Sequence, residues 1–312
     1  MKVGGVHVGM YGAVMGITGL GLTARSAATV WPGVLRAPAY FTETWVALGV
    51  LALLVVLALY ALKLARDPAA VRADFVDPMT LGYCGALPVG LTLVAGGIGP
   101  YAPSLGQWLW WLGFAMLTAF QVWALARLLS GGVEPGQINP GWLIVLVGGI
   151  VVPGPGLGLG LVEASQFSFG ISSTVAPILM ALLFYRAITG PATPAPLRPA
   201  WFILLVPPSL IYANGRALYP QLEALDGLYF FALALAGALF LVSRGLSRWP
   251  FGTPWWTFTF PLDALAYAAA RYAQDHPAPL WRALCALTLL VATLFVAVVL
   301  VRTLRSAASP RA

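Results

Sequence analysis

Residues 255–272 read WWTFTFPLDALAYAAARY, and residues 279–303 read PLWRALCALTLLVATLFVAVVLVRT. Either stretch is apolar and close to the length of about 20 helical residues that a hydrocarbon core requires. They differ in kind. The first carries a proline at 261 and an acid at 263, while the second is a smooth run of Leu, Val and Ala. A proline inside a helix removes a backbone hydrogen bond and bends the chain. In lipid, the freed backbone groups need a neighbouring helix or a wet cavity, whereas a smooth helix faces acyl chains without help. The pair therefore predicts a broken inner helix followed by a plain outer one.

The same alternation recurs along the chain. Apolar spans are expected at 4–22, 44–65, 79–99, 105–130, 140–157, 164–188, 199–219, 225–247, 254–275 and 279–303. The odd-numbered spans are interrupted by Gly or Pro; the even-numbered ones are mostly smooth. Kinks are expected at Pro88, at Pro153 after Gly148 and Gly149, at the pair Pro207 and Pro208, and at Pro261. The first span instead carries Gly4, Gly5, Gly9, Gly12, Gly16, Gly19 and Gly21. Several lie four apart, the small-xxx-small spacing of tightly packed membrane helices. The fold class that follows is an all-α membrane protein, with ten transmembrane helices as five helical hairpins and kinked odd-numbered helices lining a central pore. Residues 1–312 are expected to form a single transmembrane domain.

Composition excludes most other classes. Of 312 residues, 60% are hydrophobic and only 9% charged, against about 25% charged in a soluble domain; the mean hydropathy is +0.87. Cys84 and Cys285 both sit in apolar stretches, so no disulfide framework is expected. No Walker loop, HExxH or CxxC pattern is present, and two histidines are too few for a clustered catalytic or metal centre. The expectation is no enzyme activity, no cofactor and no metal. Lys2 precedes a run ending near Arg25, and Ser26-Ala27-Ala28 is weakly cleavage-like. That run is rich in Gly rather than Leu, so it reads as a retained first span.

The net charge of +7 is no nucleic-acid signal, because its distribution follows the spans. With ten spans, 12 of the 17 Lys and Arg fall on the side of the termini, among them Lys2, Lys63, Arg66, Arg72, Arg186, Arg198 and Arg311. Five fall on the other: Arg25, Arg36, Arg216, Arg271 and Arg282. Cytoplasmic loops carry the Lys/Arg excess, which puts both termini in the cytoplasm. Nine or eleven spans would strand the basic C-terminus outside.

Within the ninth span, Phe260 stands just before Pro261. A kink there can aim the ring at the axis as a hydrophobic plug. Asp263, expected deep in the membrane, either caps amides freed by Pro261 or is a protonatable group in the pathway. Gly12, Gly16, Thr18, Asn214, Thr257 and Asp263 are candidates for the pore lining, and Arg25 and Arg216 for charges at its mouth. His7 reads as a packing residue or a proton relay. No Arg sits mid-span to grip an anion, so an anion would be held weakly, which favours throughput.

YGAVMGITGLGLTAR (Tyr11 to Arg25), WPFGTPWWTFTFPLDALA (Trp249 to Ala266), DPMTLGYCGALP (Asp77 to Pro88) and the Asn214-Gly215 pair, in this order and spacing, resemble the tellurite-resistance/dicarboxylate transporter family. That family includes the bacterial tellurite-resistance anion channel, fungal malate permeases and plant guard-cell slow anion channels. The resemblance covers nearly the whole chain. It implies ten helices in five hairpins with odd helices at the pore, a homotrimer with one pore per subunit, and a gating phenylalanine at Phe260. Asp263 departs from the pattern that follows that phenylalanine. The leading expectation is a gated anion channel of the bacterial plasma membrane, whose partners are small inorganic or organic anions and membrane lipid. The alternative is a proton-coupled exporter of dicarboxylates such as malate, or of oxyanions such as tellurite, using Asp263 or His7.

Overall fold

The computed structural model describes residues 7–31 and 39–308; Gly4, Gly5, Lys2, Arg36 and Arg311 lie outside them. Every regular element among the described residues is helical. Six segments are long and apolar enough to cross a membrane: Tyr40–Arg66, Leu81–Ile98, Pro103–Leu129, Val162–Thr189, Glu223–Val242 and Pro279–Ala308. Five of these contain the smooth helices α2 (Ala39–Arg66), α5 (Pro103–Leu129), α8 (Val162–Thr189), α10 (Asp226–Val242) and α12 (Pro279–Ala308). They are the outer elements: only 22% of the apolar window is buried in α2, α5 and α12. In Leu81–Ile98, a Gly/Pro segment, the share is 78%.

The inner elements are α1 (Tyr11–Ala28), α4 (Ala86–Ile98), the short α6 (Trp142–Val147) and α7 (Pro153–Gly158), α9 (Val206–Leu218) and α11 (Trp256–Asp275). They are helical at the expected places, but shorter or diluted by Gly, Thr and Ala. Their breaks take a form that spacing alone does not predict. The third segment begins as a 3₁₀ turn, Leu81–Gly85, and becomes α-helical at Ala86. The seventh runs as 3₁₀ helix over Ala195–Leu205 before α9. The fifth passes from α6 through a 3₁₀ turn, Gly148–Ile150, into α7. Pro88, Pro153, Pro207 and Pro208 thus stand in the first turn of an α-helix, where the missing N–H costs no intrahelical bond. These four prolines start helices rather than bend them midway. At Pro261 the helix continues without interruption.

Broken backbone in an apolar environment needs partners, and the fifth segment finds them on its neighbours. Gln121 of α5 donates from Nε2 to the Leu146 carbonyl (3.2 Å) and to Ser172 Oγ (2.8 Å). Trp110 Nε1 donates to the Val152 carbonyl at 3.3 Å. Asn214 Nδ2 of α9 donates to the Ile150 carbonyl at 2.7 Å. Glycines let the inner segments approach closely. A Cβ on Gly85 would lie 2.6 Å from the Val145 Cα and 2.7 Å from the Ile144 carbonyl oxygen. One on Gly16 would meet Thr259 of α11.

An additional helix, α3 (Pro68–Val76), fills the link after α2, capped by Asp67, whose carboxylate accepts from Ala70 N at 2.9 Å. Asp74 ties it down: its Oδ2 accepts from Lys63 Nζ at 2.6 Å and from Tyr60 OH at 2.8 Å. Lys63 and Asp74 are both buried.

Two stability predictions follow from these contacts. Gly85→Val should destabilise the purified protein by about 1–3 kcal/mol, the usual cost of overpacking, whereas Gly170→Val, with nothing within 4 Å, should not; thermal unfolding in detergent distinguishes them. Asp74→Ala should cost about 3–5 kcal/mol by leaving Lys63 buried and unpaired, and the double change Lys63→Met, Asp74→Leu should recover most of it.

Candidate functional site

Three cavities follow one another through the inner segments. The first, about 330 Å³, opens beside His7 and the link around Thr193. The second, about 40 Å³, is the smallest of the three. The third, about 220 Å³, reaches Arg25 and Pro100. Gly9, Tyr83 and Thr257 border both the first and the second. Val151 and Phe260 border both the second and the third.

Each inner segment meets the cavities in the same order along the chain. The first passes from Gly9 to Gly12 to Gly19, and the third from Met79 to Ala86 to Leu93. The fifth goes from Pro140 to Val147 to Gly154, the seventh from Ala200 to Pro207 to Leu210, and the ninth from Pro254 to Pro261 to Tyr267. The five segments therefore run parallel to one another around the cavities. All residues bordering the second cavity come from these five segments.

Phe260 is only 6% exposed and stands where the second and third cavities meet. Its ring faces Gly19 of α1: a Cβ there would lie 3.0 Å from Phe260 Cδ2 and 3.0 Å from Asp263 Oδ2. Ring and carboxyl thus lie against the same glycine. Asp263 is 1% exposed and borders the third cavity, and neither of its oxygens has a protein partner. The capping alternative fails, because no amide reaches the carboxylate and the helix has no start at Pro261. Thr23 instead donates to the backbone carbonyl of Asp263 at 3.2 Å.

The other candidates divide. Gly12 and Thr257 border the second cavity, and Asn214 borders the third with its Oδ1 lacking a partner. Gly16 faces Thr259, and Thr18 packs against Gly49 of α2, so both lie outside the lining of these three cavities. Pro207 and Pro261 border the second cavity; Pro88, Pro153 and Pro208 border none of the three.

Arg25 borders the third cavity but is not a free charge. It pairs with Glu43 at 2.5 Å and donates to the Gly97 carbonyl at 2.9 Å. Arg216 lies away from the three cavities, 3.7 Å from Asp226 and donating to the Pro220 carbonyl at 2.5 Å. His7 borders the first cavity, with Nδ1 accepting from Gly9 N at 2.9 Å.

Trp256 was not among the lining candidates of the sequence reading, whereas Gly19 belongs to the glycine run of the first span. Trp256 borders the second cavity with its indole Nε1 lacking a partner, and Gly19 backs the Phe260 ring. The signal for Trp256 was its place one helical turn before Phe260. No group of three or more His, Cys, Asp or Glu among the described residues could hold a metal.

The profile of the family described as voltage-dependent anion channel (SLAC1) matches residues 5–304. S-type anion channel SLAH3 of Arabidopsis thaliana is 24% identical over 302 residues, covering 95% of this chain and 48% of the relative. Guard cell S-type anion channel SLAC1 of the same plant is 24% identical over 307 residues, covering 93% and 55%. S-type anion channel SLAH2 is 26% identical over 236 residues, covering 74% and 45%. The chain spans about half the length of these relatives. With the family profile spanning almost the whole sequence, this multi-pass membrane protein belongs to the voltage-dependent anion channel family, within the tellurite-resistance/dicarboxylate transporter clan.

Proposed function

We propose that the chain is a gated anion channel. Its ten helical segments form five hairpins, the odd-numbered ones enclose the conduit, and Phe260 closes it. The observation that carries this reading is the series of three cavities bordered by the five parallel Gly/Pro segments, with Phe260 where the second meets the third. An aromatic ring closing an apolar passage excludes water and ions together. Moving the ring off Gly19, against which it rests, would join the second and third cavities.

The lining suits weak, fast passage. It is apolar, with a few polar groups such as Thr257 and the Trp256 indole in place of a tight Arg clamp. The names of the relatives support anions as the permeant species. The basic excess on the side of the termini supports a first cavity that faces the cytoplasm, in the plasma membrane of a bacterium as the resemblance implies. One chain supplies every wall of the conduit, so each subunit of the homotrimer that the resemblance implies would conduct by itself.

Asp263 favours a second reading, a proton-coupled carrier of dicarboxylates or oxyanions, because an acid without a partner beside the gate is able to take up a proton. Reversal potentials in planar bilayers separate the two, since a channel follows the anion gradient alone. Phe260→Ala should raise nitrate or chloride efflux from liposomes about tenfold or more, equivalent to about 1.4 kcal/mol off the barrier. Efflux no faster than wild type would rule out Phe260 as the gate.

A further inference from the structure

The third cavity pairs an anion path with an unpartnered acid, and the two are incompatible unless the acid is neutral. An ionised carboxylate buried without hydrogen bonds is costly, and such groups are found paired or neutralised. Asp263 has neither an ion pair nor a hydrogen-bond partner for its carboxyl oxygens among the described residues. It lies beside Phe260, so whatever passes the ring passes the carboxyl.

The charged and titratable groups around α11 do not offset it. On α1, Arg25 borders the same cavity but is held by Glu43. On α9 and α10, Arg216 lies against Asp226, and Tyr212 and Tyr229 pack in a separate aromatic cluster with Tyr272 and, from α12, Cys285. On α11 itself, Arg271 lies 3.9 Å from Asp275, and Tyr267 borders the cavity. Asn214 Oδ1, also on that cavity, is an acceptor. Of the unpartnered acceptors on this cavity, only the Asp263 carboxyl can become a donor by taking up a proton.

We infer that Asp263 is a proton-binding part of the anion site: an anion passes Phe260 only while this carboxyl is in its acid form, which donates its O–H to the anion as a hydrogen bond. The pair holds one proton and one negative charge. If the proton shifts to the anion, Asp263 keeps the charge, and the total is unchanged. When the proton is lost to bulk solvent, two negative charges meet at the neck and passage stops. The inference rests on the channel reading above and adds a condition to it, that the conduit is acid-activated.

Two measurements on the full chain test it. In infrared spectra of the purified protein at neutral pH, wild type should show a protonated-carboxyl C=O band that Asp263→Asn lacks; no such difference at any pH over about 5–8 overturns the inference. In liposomes, nitrate is the probe, because it carries no proton of its own. Efflux through Phe260→Ala should fall about tenfold per pH unit above the Asp263 titration midpoint, while Phe260→Ala, Asp263→Asn should be fast at every pH. A flat profile in the first, or the same slope in both, overturns it. Asp263→Ser, also neutral, supplies the same comparison if the Asn variant fails to fold. If Phe260→Ala moves no nitrate at any pH, the channel reading falls, and the infrared difference still decides whether Asp263 holds its proton.

Discussion

The close approach of α1 to α11 is the contact on which the rest of the structure depends. Lipid tails are as apolar as leucine, so membrane helices gain little from burying apolar surface against each other and associate through van der Waals fit. Gly12, Gly16 and Gly19 provide that fit by leaving room for Trp256, Thr259 and the Phe260–Asp263 pair respectively. The third of these contacts gives the Phe260 ring a flat, side-chain-free wall. A methyl group there would press on both the ring and the carboxyl. Helix association and the position of the ring are thus settled by one row of small residues.

Much of this was readable in the amino-acid order. Smooth and interrupted segments alternate because a helix facing lipid must satisfy its own backbone, while one facing protein or water need not. That contrast survives as the burial difference between α2, α5 and α12 on the outside and Leu81–Ile98 within. The form of the interruptions was not readable. Pro88, Pro153, Pro207 and Pro208 mark where 3₁₀ or irregular backbone becomes α-helix, and a proline is equally at home at a kink and in a first turn. Helix α3 was hidden because its nine residues are too few to show a periodicity; its place is secured by the ion pair of Asp74 with Lys63 of α2.

Site residues were legible by type more than by direction. A run of glycines announces a face of small residues, but not which neighbour lies on it. Gly12 and Gly19 meet cavities, whereas Gly16, between them, meets Thr259. Thr18 turns to α2 for the same reason. The role of Asn214 was half visible. Its polarity pointed to the conduit, but its amide is committed to a backbone carbonyl of the broken fifth segment. Arg25 was read as a mouth charge because Glu43, 18 positions away, is close only after α1 and α2 fold together.

The five inner segments share one direction, and that bears on more than packing. Every peptide unit in a helix carries a dipole along the axis, and aligned segments sum to a partial positive charge at one end and a negative one at the other. Here the α4, α7 and α9 starts lie part-way along the cavities, so their positive ends are inside the protein rather than at its surface. The smooth helices run the opposite way but one layer further out, where their opposing field is weaker. The series of cavities is therefore electrically asymmetric from end to end, and in the proposed channel equal and opposite voltages would drive unequal currents.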